Sequence, residues 1–540
     1  MICAAGAKAM DAEASANWGL DPFALVEAAG RACAQAFCRA FMQEQRSFAV
    51  LAGKGNNAAD ALVMLRALIQ DGYLPLKRQI TTPIGDIKTS PISGYAQSSA
   101  CLVVTPQVTA MADLAAEKTP LSAAMLAVRK MGVPVMKWDA AEAAAIAHTL
   151  THYDVIIDGI TGTGSTGPLR DTALEMMEAV MGHPCVVSID IPSGNYDGWQ
   201  AGSPMIAAHA TLALEPHKLC LYTPAARAYA GTIIPVGGVF PPALIGQYRE
   251  AELVTWEAAA ARVAPVAPTA YKYERGLVEI RAGSTGAAGA ARLAAMGAQA
   301  AGAGLVRLIV DPSLYPVIAP ACSGVMVACD EDGSAAHSRF SPNAVLLGPG
   351  WGRGEDRRRL LETYLPREKS GLPLILDADA IALAKDMTFN GNVLITPHVG
   401  EFAAYTGLSK DEILNNPIPS LRRSAHEKNV YILLKSHVLY AASPDGRIGV
   451  IDGMKAALAA GGSGDMLAGF CAAIAARNAA ARCAASAQKP FDGYACASAA
   501  ASLLIQAAKS DGVAGSFFDP AELARPAAAI AGAAWLPGEV

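Results

Sequence analysis

The sequence predicts an α/β protein in two domains, on three observations. A chain of 540 residues is too long for one hydrophobic core and about twice the length of an ordinary domain. Short β-branched runs alternate with alanine-rich helical stretches from end to end, the pattern of parallel sheets flanked by helices. Between the halves, EAAAARVAPVAPTA (257–270) carries paired prolines that interrupt a helix and predict a linker. We place the boundary near residue 265, with domains over 1–250 and 269–540 and a linker over 251–268.

Taken in order, the clearest strands of the first half are SFAVLAG (47–53), YDVIIDG (153–159) and CVVSID (185–190), each ending in a polar or glycine-rich turn. KRQITTPIGDIKTSPISGYAQSS (77–99) is polar, lacks a period and predicts a long surface loop or insertion. In the second half LVEIRAG (277–283), LVRLIV (305–310), AVLLGPG (344–350), PLILDADA (373–380), NVLITPH (392–398) and VYILLK (430–435) repeat the strand pattern.

Composition narrows the function classes. With 52% hydrophobic and 17% charged residues the chain fits a soluble α/β protein and gives no sign of disorder. A net charge of -5 argues against a nucleic-acid surface and for a small-molecule partner. Eleven cysteines stand apart without C-x-x-C or zinc spacing, as small core residues in a reducing compartment do. The opening MICAAGAKAMDAEASANWG has no basic n-region followed by an apolar run, and the apolar stretch 466–487 is broken by Arg477 and Arg482. Neither a secretory signal nor a membrane span is expected, and the location read is cytoplasmic.

The richest motif is AAGGSGDMLAG (459–469). Its glycines let backbone N–H groups of 461–464 converge without a Cβ in the way, and a helix begun at Asp465 adds its positive end, which together suit a phosphate. Asp465 in the first turn is favoured as an ionised base. An isolated G-x-G-D serves equally as a helix cap. GPGWG (348–352), LDADA (376–380) and TPHVGEF (396–402) end other strands, where open α/β sheets collect ligands. Asp377 reads as a turn residue and His398, taken alone, as a structural histidine.

With YKYERG (271–276), GSTGAAGAARLAA (283–295) and GAGLV (302–306), these motifs resemble the ribokinase-like NAD(P)H-hydrate dehydratase family over nearly all of 270–505. The resemblance implies ADP or ATP with Mg2+ and a hydrated NADH or NADPH substrate. It also implies Asp465 as catalytic base, Gly350 and His398 at the substrate, and Lys435, Gly461, Gly462, Ser463 and Gly464 at the nucleotide. The chain departs from the family's K-G-x-x-T at KSHVL (435–439) and from G-N-P-G-x-A-T-G-G at MKAALAAGG (454–462).

In the first half, LAGKGNNAADALVMLRAL (51–68) follows a strand and opens a helix, a phosphate-friendly geometry. Together with DGITGTGSTGPL (158–169) and SIDIPSGNYDG (188–198) it resembles the Rossmann-like, three-layer NAD(P)H-hydrate epimerase domain. Three strand ends would bring Asn57, Asp158 and Ser193 together as oxygen ligands for a hard cation, potassium in that family. The resemblance places Asn56, Asp60, Gly162, Gly164 and Asp190 at the hydrated dinucleotide, with Asp190 as acid–base catalyst. Lys218 matches a family position, although a surface lysine is the ordinary expectation. The family's N-N-G-G-D-G is N-N-A-A-D-A here, at Ala58, Ala59 and Ala61; where those glycines serve close approach or positive φ, alanine costs about 1 kcal/mol per site or blocks the ligand.

The leading expectation is a bifunctional, homo-oligomeric repair enzyme without nucleic-acid or membrane partners. Two alternatives stay open: a ribokinase-like kinase for a small alcohol, and a dehydratase fused to a non-catalytic N-terminal binding domain.

Overall fold

Fully buried runs such as Phe48–Ala52 and Val155–Gly159 are what strands covered on both faces require. The structure is a computed structural model that describes residues 1–41, 46–74, 99–106, 118–329, 340–369, 371–484, 490–515 and 517–536. Two units partition the chain, Met1–Glu250 and Ala251–Val540. All but Ser99 of the 77–99 segment lies outside the described residues.

In the first unit seven strands are described: β1 (Phe48–Ala52), β2 (Ala100–Val104), β3 (Val135–Lys137), β4 (Val155–Gly159), β5 (Val186–Ile189), β6 (Ala210–Leu214) and β7 (Thr232–Val236). They form one parallel sheet in the order β3-β2-β1-β4-β5-β6-β7. The period of two sorts its side chains between two cores. Phe48, Val50, Leu102 and Ile157 enter one, and Leu51, Val103 and Ile156 the other. Strand order reverses between β1 and β4, opening a crevice at their carboxyl ends.

The second unit carries β8 (Glu252–Leu253), β9 (Leu277–Arg281), β10 (Leu305–Val310), β11 (Met326–Cys329), β12 (Ala344–Leu347), β13 (Leu374–Leu376), β14 (Val393–Ile395), β15 (Tyr431–Leu434), β16 (Val438–Ala442) and β17 (Ile448–Asp452). Their order is β11-β10-β9-β12-β13-β14-β15-β16-β17-β8, parallel except where β16 runs against β15 and β17. The alanine content has a packing reason here. Helices Ala288–Ala300 and Ser463–Ala484 approach so closely that a methyl on Gly297 would overlap the Met466 carbonyl, and one on Gly469 the Ala294 carbonyl.

The stretch 251–268 is a correction to the expected linker. Glu252–Leu253 pairs with β17, helix Trp256–Ala260 follows, and Val254, Ala259 and Val263 are buried in the second unit's core. Val266 N donates to Trp535 O at 2.8 Å. Prolines stop the helix, but the apolar residues around them are absorbed by the sheet, so the division falls at 250/251.

Among the described residues no helix is long and apolar enough to cross a membrane. No disulfide joins the cysteines among the described residues; six are buried and Cys483 is exposed.

The three alanines of N-N-A-A-D-A lie in helix Asn56–Gln70, fully buried and at negative φ. Neither expected penalty applies, because a helix interior favours alanine over glycine; Ala61 packs where β4 ends in Gly159, which leaves room for its methyl. Ala59→Gly is therefore expected to lower the stability of the first unit by about 1 kcal/mol. Urea unfolding checks this, and an unchanged or raised midpoint would contradict it.

Candidate active sites

The crevice of the first unit contains a cavity of about 660 Å³. The turn after β1 lines it with Lys54, Gly55, Asn56, Asn57 and Asp60, the loop after β4 with Thr161, Gly162 and Gly164, and the ends of β5 and β6 with Asp190 and Lys218. Of the substrate residues expected in this half, Asn56, Asp60, Gly162, Gly164 and Asp190 thus share one wall system.

Asp190 takes φ +62°, uncommon for a residue with a Cβ. Its carboxylate accepts a bond from Lys218 Nζ at 2.7 Å, and both side chains are buried. Lys218 also donates to Leu214 O at 3.1 Å, so it is a buried member of the site and not a surface lysine. Asp60 is buried, and among the described residues it has no cation of its own and leaves Oδ1 without a partner. Burial, reinforced by the Asp190 and Asp11 charges, holds its carboxyl well above the usual range.

Asn57 and Ser193 meet at one carbonyl, and Asp158 joins them through Ser193. Asn57 Nδ2 donates to Thr161 O at 2.8 Å, and Ser193 Oγ lies 3.2 Å from the same oxygen and 2.5 Å from Asp158 Oδ1. Asp158 also accepts from Ser188 Oγ (2.7 Å), Ser193 N (2.9 Å) and Ile160 N (3.2 Å). It is fully buried, and among the described residues no lysine or arginine pairs with it. Burial raises its carboxyl while the Ser193 and Ser188 bonds oppose the rise. Two of its bonds come from backbone N–H groups, yet a buried carboxylate without a cationic side chain, with the Ser193 hydroxyl and the Thr161 carbonyl close by, offers the oxygen donors a hard cation takes.

In the second unit the carboxyl ends of β13, β14 and β15 converge on a charged group. Lys435 Nζ donates to Asp377 Oδ1 at 2.7 Å, and Thr396 Oγ1 donates to the same oxygen at 2.7 Å. Asp377 is thus more than the expected turn residue: it is buried under an ammonium. Burial works against charge on Lys435, but Asp377 and Glu401 outweigh it and hold the ammonium above its ordinary range. The same lysine reaches the first turn of helix Ser463–Ala484, its Nζ 3.3 Å from where a methyl on Gly464 would lie.

That turn is open. Gly461 is exposed, Gly462, Ser463, Gly464 and Asp465 are half-buried, and the Gly461, Gly462 and Gly464 amides make no bond among the described residues. Gly462 has φ +103°, where a side chain would be strained and would strike Leu293. Asp465 is pushed up to about 6, by burial first and then by Asp377, with Lys435 pulling the other way.

The remaining expected residues frame this group. Gly348 has φ +120° and sits against the Asp377 carbonyl with no room for a Cβ. Gly350 packs on Ala287, and its carbonyl accepts from Ser284 Oγ at 2.9 Å. Asp379 ties the 348–353 loop down, accepting from Gly352 N (2.8 Å) and Arg353 Nε (2.7 Å). His398 caps helix Val399–Thr406, its Nδ1 accepting from Gly400 N (2.9 Å) and Glu401 N (3.3 Å) while Glu401 accepts from His398 N. KSHVL turns β15 into β16, with Ser436 Oγ bonded to Val438 and Leu439 buried. Among the described residues no group of three His, Cys, Asp or Glu is placed to hold a metal by itself, so Mg2+ would need further oxygens from a bound ligand.

Sequence reasoning missed Asp11 and Glu401, and undervalued Lys218 and Asp377. Lys218 and Asp377 are paired ions and so could be found only by bringing distant strand ends together; Glu401 carried a signal in the spacing of His398 and Glu401, a capping box.

Comparison with known proteins agrees with this division. The family model described as NAD(P)H-hydrate dehydratase matches residues 278–513, and that of the YjeF-related protein N-terminus matches 22–89 and 95–220. The bifunctional NAD(P)H-hydrate repair enzyme Nnr of Salinibacter ruber is 28% identical over 505 residues, covering 88% of this chain and 87% of that protein. The Escherichia coli protein of the same name is 28% identical over 470 residues, covering 86% of this chain and 82% of its own. Among solved structures, a Bacillus subtilis ADP/ATP-dependent NAD(P)H-hydrate dehydratase crystallised with ATP and Mg2+ is similar at 25% identity and a TM-score of 0.45, over 52% of this chain and 97% of that one.

Removing one partner of the Lys435–Asp377 pair strands a buried charge. Lys435→Met is expected to destabilise the second unit by about 3 kcal/mol, with most of the loss recovered when Asp377→Asn is added. Denaturant unfolding of the two variants checks this; equal losses from the single and double variants would contradict it.

Proposed function

The chain belongs to the bifunctional NAD(P)H-hydrate repair enzyme family, and from that premise we propose how its two units share the work. The first unit, Met1–Glu250, interconverts the R and S forms of hydrated NADH and NADPH. The second, Ala251–Val540, dehydrates the S form with ADP or ATP, releasing AMP and phosphate in the ADP-driven case. Each accepts a small molecule, and the reading makes the protein a cytoplasmic homo-oligomer without nucleic-acid or membrane partners.

The observation that carries the dehydratase reading is Asp465 at the open head of a long helix, beside three unengaged amides and within the field of Lys435. Asp465 accepts the proton of the ring hydroxyl. The amides of 461–464 then steady the phosphoryl group passing to that oxygen, and phosphate leaves where water would leave poorly. Lys435, held by Asp377, supplies positive charge beside the transferred group. Gly350 and His398 flank the hydrated ring. Glu401 would help hold Mg2+, which would neutralise phosphate charge.

In the first unit, Asn56, Asp60, Gly162 and Gly164 hold the dinucleotide, and Asp190, ion-paired with Lys218, handles the proton at the carbon bearing the hydroxyl. Asn57, Asp158 and Ser193 would hold K+, which would compensate the buried Asp158 charge. The helical placement of Ala58, Ala59 and Ala61, which leaves the cavity open, supports a working site over a non-catalytic binding domain.

Chemically hydrated NADH supplied with ADP and Mg2+ is expected to return fully to NADH, followed by absorbance of the reduced nicotinamide. Recovery of only the S form would remove the epimerase reading, and recovery of neither would remove both. Asp465→Asn should abolish dehydration while epimer exchange persists. Because Asp465 acts in its ionised form and is held at about 6, the dehydration kcat should fall roughly tenfold per pH unit below that value and stay level above it; a profile flat down to pH 4 would contradict Asp465 as the base.

A further inference from the structure

One carboxyl facing the first unit's cavity has no part in the reaction as assigned so far. Helix Ala4–Ala16 buries Ala7, Met10 and Ala14 in a small core with Ile2 and Leu244. Packed that way, it turns Lys8, Asp11, Ala12 and Ser15 toward the cavity, positions spaced three and four residues apart along one helical face. Asp11 forms no hydrogen bond or ion pair among the described residues and opens to solvent at the cavity mouth. The charged groups facing it are Lys8 on its own helix, Lys54 and Asp60 from the turn and helix after β1, and the Asp190–Lys218 pair at the ends of β5 and β6. Asp60 adds a buried oxygen with no partner among the described residues.

We propose that Asp11 is a further catalytic residue of the epimerase site, exchanging a proton with water on one face of the hydrated ring while Asp190 serves the other. The proposal rests on the epimerase reading above. The two epimers differ at the ring carbon that carries the hydroxyl and adjoins the ring nitrogen. Asp11 gives its proton to the hydroxyl oxygen, the C–O bond breaks, and water leaves with the bonding pair as the nitrogen lone pair forms a C=N bond. Water then adds to the opposite face of the flat carbon, the C=N electrons return to nitrogen, and the Asp190 carboxylate takes the proton released. The reverse passage exchanges the two roles, and no oxidant or reductant is needed.

Such a reaction requires one carboxyl protonated and the other ionised. Asp190 is ion-paired with Lys218 at 2.7 Å and takes the ionised role. Partial burial of its carboxyl at the cavity edge, reinforced by the Asp190 charge and opposed by Lys218, pushes Asp11 up to about 6, so a protonated fraction persists near neutral pH.

The test compares epimer exchange in the full chain and in Asp11→Asn and Asp11→Glu, each supplied with chemically hydrated NADH and followed by chromatographic separation of the two forms across pH. Wild-type exchange should decline as pH rises above about 6, where Asp11 loses its proton. Asp11→Asn should lose about 100-fold or more in exchange rate and lose that decline, with S-form dehydration unchanged. Asp11→Glu should recover part of the rate and restore the decline. Exchange at the wild-type rate in Asp11→Asn overturns the assignment, as does a uniform loss that keeps the same pH decline, the mark of a structural role. Wild-type protein without any exchange removes the epimerase reading and this assignment with it, whereas exchange that ignores Asp11→Asn removes this assignment alone.

Discussion

A lysine tied to an aspartate at the carboxyl edge of a parallel sheet is the constraint from which both sites are built. In the first unit Lys218 follows β6 and meets Asp190 after β5; in the second, Lys435 follows β15 and meets Asp377 after β13. Desolvating such a pair is costly unless its geometry is good, and each lysine has further support. Lys218 also bonds a backbone carbonyl, while Asp377 takes a second bond from Thr396. Each pair therefore places fixed charge where an open α/β sheet gathers ligands, and Asp465, the carboxyl proposed as the base of the second unit, lies within the field of the Lys435 ammonium.

The strands were legible because burial on both faces leaves near-continuous β-branched runs, as in 48–52, 155–159, 305–310 and 431–434. Alanine-rich strands such as Ala210–Leu214 escaped notice because alanine reads equally as helix. The 251–268 stretch misled for a related reason. Proline marks where a helix stops, but says nothing of whether the neighbouring Val254, Ala259 and Val263 find a core.

Of the sites, the glycine-rich helix head and the Asn57, Asp158 and Ser193 convergence could be read from strand ends alone. The ionic partners could not: Lys435 lies 58 residues from Asp377, and a motif carries no record of which distant charge will face it. The three alanines of the first motif show the converse error, in which a glycine loss looks harmful until its position proves to be helical.

The cap at His398 fixes more than the start of a helix. Since Nδ1 receives two amide hydrogens, the imidazole tautomer with its proton on Nε2 is the one compatible with the turn, and a proton on Nδ1 would dismantle it. The outward edge of the ring is therefore confined to giving a hydrogen bond. Whatever docks there must share that hydrogen with the Glu401 carboxylate, whose Oε1 lies 3.5 Å from Nε2, so the ring offers an incoming lone pair a donor and no acceptor.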